Sequence, residues 1–185
     1  MTRGSNRAYT RELLESYLSH AQNDCIFISH KYEDLDAARE VADYIMDYGI
    51  DVYLDDCDLK LQKAVDAHNS EGIVSCIENG LNRSTHILVL VTENTRMSWW
   101  VPYETGYAKK GEKGIASLLL KKADGFPDYL RIETTLKGFE DLTKFLDTLS
   151  ISTTLMESAS LEYERYCVER RHKDSLLEYI RRQLF

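Results

Sequence analysis

HILVLV, residues 86–91, is the most apolar run in the chain. It does not alternate, so both faces of such a segment must be covered. Six residues are also too few for a buried helix, which usually needs ten or more. A central strand in a sheet buried on both sides fits this pattern. Comparable runs stand on either side: CIFIS (25–29), DVYLD (51–55), GIASLLL (114–120) and a weaker YLRIE (129–133). Helical spacing fills the gaps. Leu35, Ala38, Val41, Ala42 and Ile45 mark one helix, which Gly49 closes. Ile73, Val74, Ile77 and Leu81 mark another, residues 98–110 a third, and Phe139, Leu142, Phe145, Leu146 and Leu149 a fourth. The polar stretch 55–72 reads as a loop with local helix. Strands alternating with helices predict an α/β fold built on a parallel sheet. Beyond this core, residues 8–20 read as an amphipathic helix. Residues 155–184, charge-rich with sparse apolar positions, read as a C-terminal helix or helix pair.

Composition narrows the function classes. The 185 residues suit one domain with extensions, and 43% hydrophobic with 29% charged content is ordinary for a globular chain. A net charge of −8 disfavours a nucleic-acid partner. Cys25, Cys57, Cys76 and Cys167 are far apart and form no CxxC pair, which supports neither a metal centre nor a disulfide framework. They read as reduced thiols, and the protein as cytoplasmic. The N-terminus lacks an apolar signal region, and no run approaches the ~18 residues of a membrane span. No G-x-G-x-x-G is present, which disfavours a Rossmann oxidoreductase. His68 and His86 have no partner motif and read as structural.

Parallel sheets bind ligands at the carboxyl ends of their strands. That rule singles out SHKYED after the first strand, DDCDLK after the second and TENTRMSWW after the third. The last leads into WWVPYETG (99–106). Proline is tolerated only in a first turn, and Ser98 is a suitable N-cap, so the helix starts near Ser98 and Glu104 falls in its second turn. Trp100, Glu104 and Tyr107 are then neighbours at i,i+4 and i,i+3 spacing; Trp99 lies off that face and reads as core or interface. Spacing alone admits two readings: an ordinary helix with one solvated carboxylate, or a catalytic carboxylate among aromatic rings. Such rings strip hydration and raise a carboxyl pKa. The charge is then useful where a cation develops, as at an oxocarbenium-like sugar carbon. Nicotinamide leaves as a neutral amide, so cleaving its bond to ribose requires no second, acidic carboxyl.

Three blocks resemble bacterial TIR domains: DCIFISHKYED (24–34), GIDVYLDD (49–56) and SWWVPYE (98–104). The last is similar to the S-x-W-C-x-x-E signature of NAD-cleaving members, with Ser98, Trp100 and Glu104 in register and Val101 at the cysteine position. The resemblance implies a flavodoxin-like, three-layer parallel β-sheet over residues 22–150. An N-terminal helix (1–21) and a C-terminal helical extension (151–185) flank it. It carries the catalytic role onto Glu104, sets Trp100 against the substrate, and lines the same pocket with Ser29, His30, Lys31, Tyr53, Asp55, Asp56 and Tyr107. Lys31 is either a diphosphate contact or a solvated lysine, and His30 a substrate contact or a loop hydrogen-bonder. Asp55, Asp56 and Asp58 look metal-like by composition, but in this family shape the loop or bind ribose hydroxyls.

The function so implied is cleavage of NAD+, as substrate rather than cofactor, at the nicotinamide–ribose bond. The product is ADP-ribose or a cyclic isomer. A short TIR protein of this type is similar to the signal-producing component of Thoeris anti-phage defence. Expected partners are then further TIR domains, a phage-derived trigger and a separate effector reached through the messenger, with no membrane or nucleic acid. A non-catalytic TIR–TIR adaptor and a nucleoside deoxyribosyltransferase-like enzyme are the alternatives.

Overall fold

A computed structural model describes residues 3–8, 24–120, 123 and 125–153. The helices expected over 8–20 and 155–184 lie outside them, except for Ala8. Five strands form the sheet: β1 (Cys25–Ser29), β2 (Asp51–Tyr53), β3 (His86–Val91), β4 (Gly114–Leu119) and β5 (Thr134–Leu136). Their order is β2-β1-β3-β4-β5, and every pairing is parallel. The helices are α1 (Leu35–Asp47), α2 (Leu59–Asp66), α3 (Ser70–Asn82), α4 (Trp100–Lys110), the single turn α5 (Asp128–Arg131) and α6 (Phe139–Thr153). HILVLV is the middle strand of the five, as its composition requires.

Period-two alternation divides the strands between two cores. Ile26, Ile28, Leu88, Leu90, Ala116 and Leu118 pack with α1 and α6. Cys25, Phe27, Ile87, Val89, Val91 and Ile115 pack with α3 and α4. Helices on both faces make three layers, the flavodoxin-like α/β arrangement. Gly49 closes α1 at φ +83°, a left-handed conformation with little penalty for glycine, and its N–H reaches Met46 O at 2.9 Å. α6 continues through Thr153, across the boundary expected at 150.

Two features depart from the sequence reading. YLRIE is not a strand. Pro127 opens a turn at φ −54°, Leu130 and Arg131 donate back to its carbonyl, and Leu130 is buried while Ile132 is 76% exposed. A strand would put Leu130 and Ile132 on the same face. The fifth strand is instead TTL (134–136), short and rich in β-branched residues. Second, residues 3–8 run along the outer edge of β2. Val52 N–H donates to Ser5 O, Arg7 N–H to Val52 O, and Arg7 Nε lies 2.9 Å from Asp51 Oδ2. They cover an edge that would otherwise be open for pairing.

Candidate active site

The strand order reverses direction between β1 and β3. In flavodoxin-like sheets that point opens the ligand crevice at the carboxyl ends. Ser29 is the last residue of β1, and Glu104 lies on the helix that follows β3. Both are buried, at 1% and 4% exposure. The Ser29 hydroxyl donates to Glu104 Oε2 at 2.5 Å, a contact across the switch point between residues 75 apart in sequence.

Local sequence aims the glutamate. Ser98 has extended backbone and its Oγ accepts the Val101 N–H at 3.2 Å, capping the first turn. Pro102 sits in that turn, where no intrahelical donor is needed. Val101, Glu104, Thr105 and Ala108 then form the buried face of α4. Burial pushes the Glu104 carboxyl up to about 8; the Ser29 hydrogen bond opposes the shift and the negative charge of Asp55 adds to it. A carboxyl of this kind exchanges its proton near neutral pH and gains strongly from a cation placed beside it.

The other expected residues divide into two groups. Asp55 lies in the turn Asp55–Cys57 after β2. Its carboxyl is raised mainly by burial, while nearby His30 opposes the shift. His30 Nδ1 is 3.8 Å from Asp55 Oδ1 and 3.3 Å from Ile28 O. Asp55 acts on Glu104 through its charge, and His30 lies beside Asp55. Trp100, 40% exposed, opens α4 and meets Tyr103 edge-on at 6.0 Å. Tyr103 in turn lies 6.4 Å from Tyr107. The aromatic row is therefore Trp100–Tyr103–Tyr107, anchored on α3 by Tyr103–Glu78 and Tyr107–Asn82 hydrogen bonds, while Glu104 turns beneath it toward β1. Trp99 is not core: it is 92% exposed.

Tyr53, Asp56 and Lys31 are engaged elsewhere. The Tyr53 ring stacks on Phe27 at 5.5 Å, and its hydroxyl donates to Asp58 at 2.6 Å. Gly80 gives this ring room, because a Cβ there would lie 2.5 Å from it. Asp56 holds Arg39 Nε at 2.9 Å, and Asp58 caps α2 through the Lys60 and Leu61 N–H groups. The acidic run is thus spent on loop and helix contacts. Among the described residues no group of three or more His, Cys, Asp or Glu could hold a metal. Lys31 Nζ lies 3.7 Å from Glu33. His86 is at the opposite end of the sheet from the pocket, starting β3; burial lowers its pKa.

Sequence reasoning missed two contributors. Asp34, 4% exposed, accepts from Thr92 Oγ1 at 2.6 Å and Asn94 Nδ2 at 2.8 Å, tying the loop after β1 to the loop after β3. The turn-forming run Thr92–Glu93–Asn94–Thr95 was a visible signal for this. Tyr129, on α5, lies within the field of Glu104: burial raises its hydroxyl first, and the Glu104 charge adds to it. It carried no signal, because its segment read as a strand.

A search of curated proteins finds no match to the chain. The family model described as "TIR domain" matches residues 26–147, from β1 into α6. That span contains the five-stranded sheet from Ile26 onward and the Ser29–Glu104 pair, and covers well over half of the sequence, so the chain belongs to the TIR domain family.

Proposed function

We propose that this protein is a NAD+-cleaving TIR enzyme that breaks the nicotinamide–ribose bond. The observation that carries this reading is a buried carboxyl at the switch point, held by a serine hydroxyl and raised to about 8. Such a group favours a cationic ligand, and the nicotinamide ring of NAD+ is a pyridinium. Its arrival would draw Glu104 into the ionised form. The C1′–N1 bond then breaks with both electrons moving to the nicotinamide nitrogen, and the carboxylate faces the oxocarbenium-like carbon left behind. Water adds at that carbon and passes its proton to Glu104, giving ADP-ribose; attack by a nitrogen of the adenine moiety instead gives a cyclic product. In this reading Trp100, partly exposed at the start of α4, supplies a ring for stacking on the substrate.

The biological setting that fits is bacterial anti-phage immunity of the Thoeris kind. There an ADP-ribose-derived, cyclic messenger made in the cytoplasm reaches a separate effector, after a phage-derived trigger and TIR–TIR association switch the enzyme on. Among the described residues no helix is long and apolar enough to cross a membrane.

A non-catalytic interaction module is the second reading. It is favoured by exposed large side chains around the crevice: Trp99 at 92%, Tyr32 at 80% and Met97 at 75%. One experiment separates the two readings. The protein is incubated with NAD+, with and without crowding agents, and nicotinamide release is followed by chromatography beside Glu104→Gln. Release by the wild type alone supports the enzyme; no release under any condition supports the module. Turnover of deoxynucleosides instead would indicate a deoxyribosyltransferase.

A further inference from the structure

Resemblance put Ser29 among the groups that touch substrate. Its surroundings argue for a different task. Ser29 ends β1 with 1% exposure, paired in register with Val89 of β3. Its hydroxyl hydrogen is committed to Glu104 Oε2 at 2.5 Å. We infer that Ser29 is a positioning residue for Glu104. Its hydroxyl fixes one carboxyl oxygen, leaves the other for a ligand, and biases the group toward its ionised form. The inference deepens the proposed NAD+ reading and rests on it for its catalytic consequence.

The physical case is a balance around one carboxyl. Three groups interact with Glu104 by hydrogen bond or charge. Ser29 comes from β1, Asp55 from the turn after β2 with His30 beside it, and Tyr129 from α5. Desolvation and the like charge of Asp55 favour the neutral acid, while the Ser29 donor favours the anion. A hydrogen bond to a charged acceptor in a dry site is a strong term. A buried serine whose hydroxyl has no other partner among the described residues, placed on a strand rather than a loop, delivers it at a constant angle. Removing the hydroxyl leaves the carboxyl in the same cavity but without its one stabilising donor among the described residues.

The test reads Glu104 directly. Titration of the Glu104 carboxyl in the full chain, by carbon-13 NMR of labelled glutamate without NAD+, gives the wild-type midpoint. Ser29→Ala, with Ser29→Gly as a second hydroxyl-free variant, should raise that midpoint by about one pH unit. The rising limb of kcat/KM for nicotinamide release should move by the same amount. The loss near pH 7 is then about tenfold and recovers toward pH 9. An unmoved midpoint in both variants overturns the inference. Release lost at every pH also overturns it, by giving Ser29 a direct part in bond making. If the wild type releases no nicotinamide but the midpoint still shifts, the NAD+ reading fails and the positioning role stands. If release occurs without a midpoint shift, the reverse holds.

Discussion

Asp34 and Glu104 are both 4% exposed and both lie at the carboxyl end of the sheet, yet their surroundings treat them in opposite ways. Asp34 has donors on both oxygens, from Thr92 and Asn94. Thr92 and Thr95 are themselves tied back to the backbone, through the Asn94 N–H on Thr92 and the Thr95 bond to Leu90 O. Among the described residues Glu104 has one hydroxyl donor, and a second carboxylate, Asp55, raises it further. A buried carboxylate whose lone pairs are filled is a tie between loops. One that is under-provided and beside a like charge is a group waiting for a cation. Burial is equal at the two sites, so donor count and neighbouring charge make the difference.

The largest test of this contrast is Glu104→Gln. Nicotinamide release should fall by at least ~10³-fold, equivalent to about 4 kcal/mol of barrier, with the fold intact by circular dichroism. The same variant should also change the pH dependence of stability. Between the ordinary carboxyl value of 4.5 and about 8, folded Glu104 keeps a proton that the unfolded chain has released. Stability therefore falls as pH rises through that window, and the loss is complete above about 8. Urea unfolding of wild type and variant at pH 5 and pH 8 should show the variant gaining on the order of 4 kcal/mol relative to wild type over that interval.

Asp34→Ala should act in the other direction, costing about 3 kcal/mol in urea unfolding by leaving the Thr92 hydroxyl and the Asn94 amide without their acceptor. A loss below about 0.5 kcal/mol would remove Asp34 from its place in the contrast. Asp55→Asn should lower the rising limb of the kcat/KM profile by less than one pH unit, since it removes the like charge but not the desolvation. A rise would break the electrostatic account of Glu104. The smallest effect belongs to the outer face of α4. Tyr107→Phe gives up an exposed hydrogen bond to Asn82, and should cost a few tenths of a kcal/mol with no change in the pH profile.

Much of the architecture was legible because apolar runs and their spacing are local signals. HILVLV, CIFIS and GIASLLL became β3, β1 and β4, and Pro102 marked the first turn of α4. YLRIE misled because an apolar alternation over five residues does not reveal that a preceding proline starts a helical turn. TTL was too short to stand out. The acidic run 55–58 was legible as loop-shaping only through resemblance, for a related reason. Composition cannot show that Asp56 faces Arg39 and Asp58 caps a helix. The aromatic row was half visible. Spacing grouped Trp100 with Tyr107, but the ring that links them is Tyr103.

By itself the sequence determined the layered α/β fold and the helix that carries Glu104 after the central strand. Periodicity and proline chemistry act over a few residues, so they can be read from one chain. Only the tertiary structure decided which side of that helix is buried, that Ser29 meets Glu104 from 75 residues away, and that Asp34 has donors on both oxygens where Glu104 has one on a single oxygen among the described residues. Those are outcomes of parallel strand register and loop crossing at a switch point. They depend on which distant groups share one desolvated volume, and no local pattern encodes that.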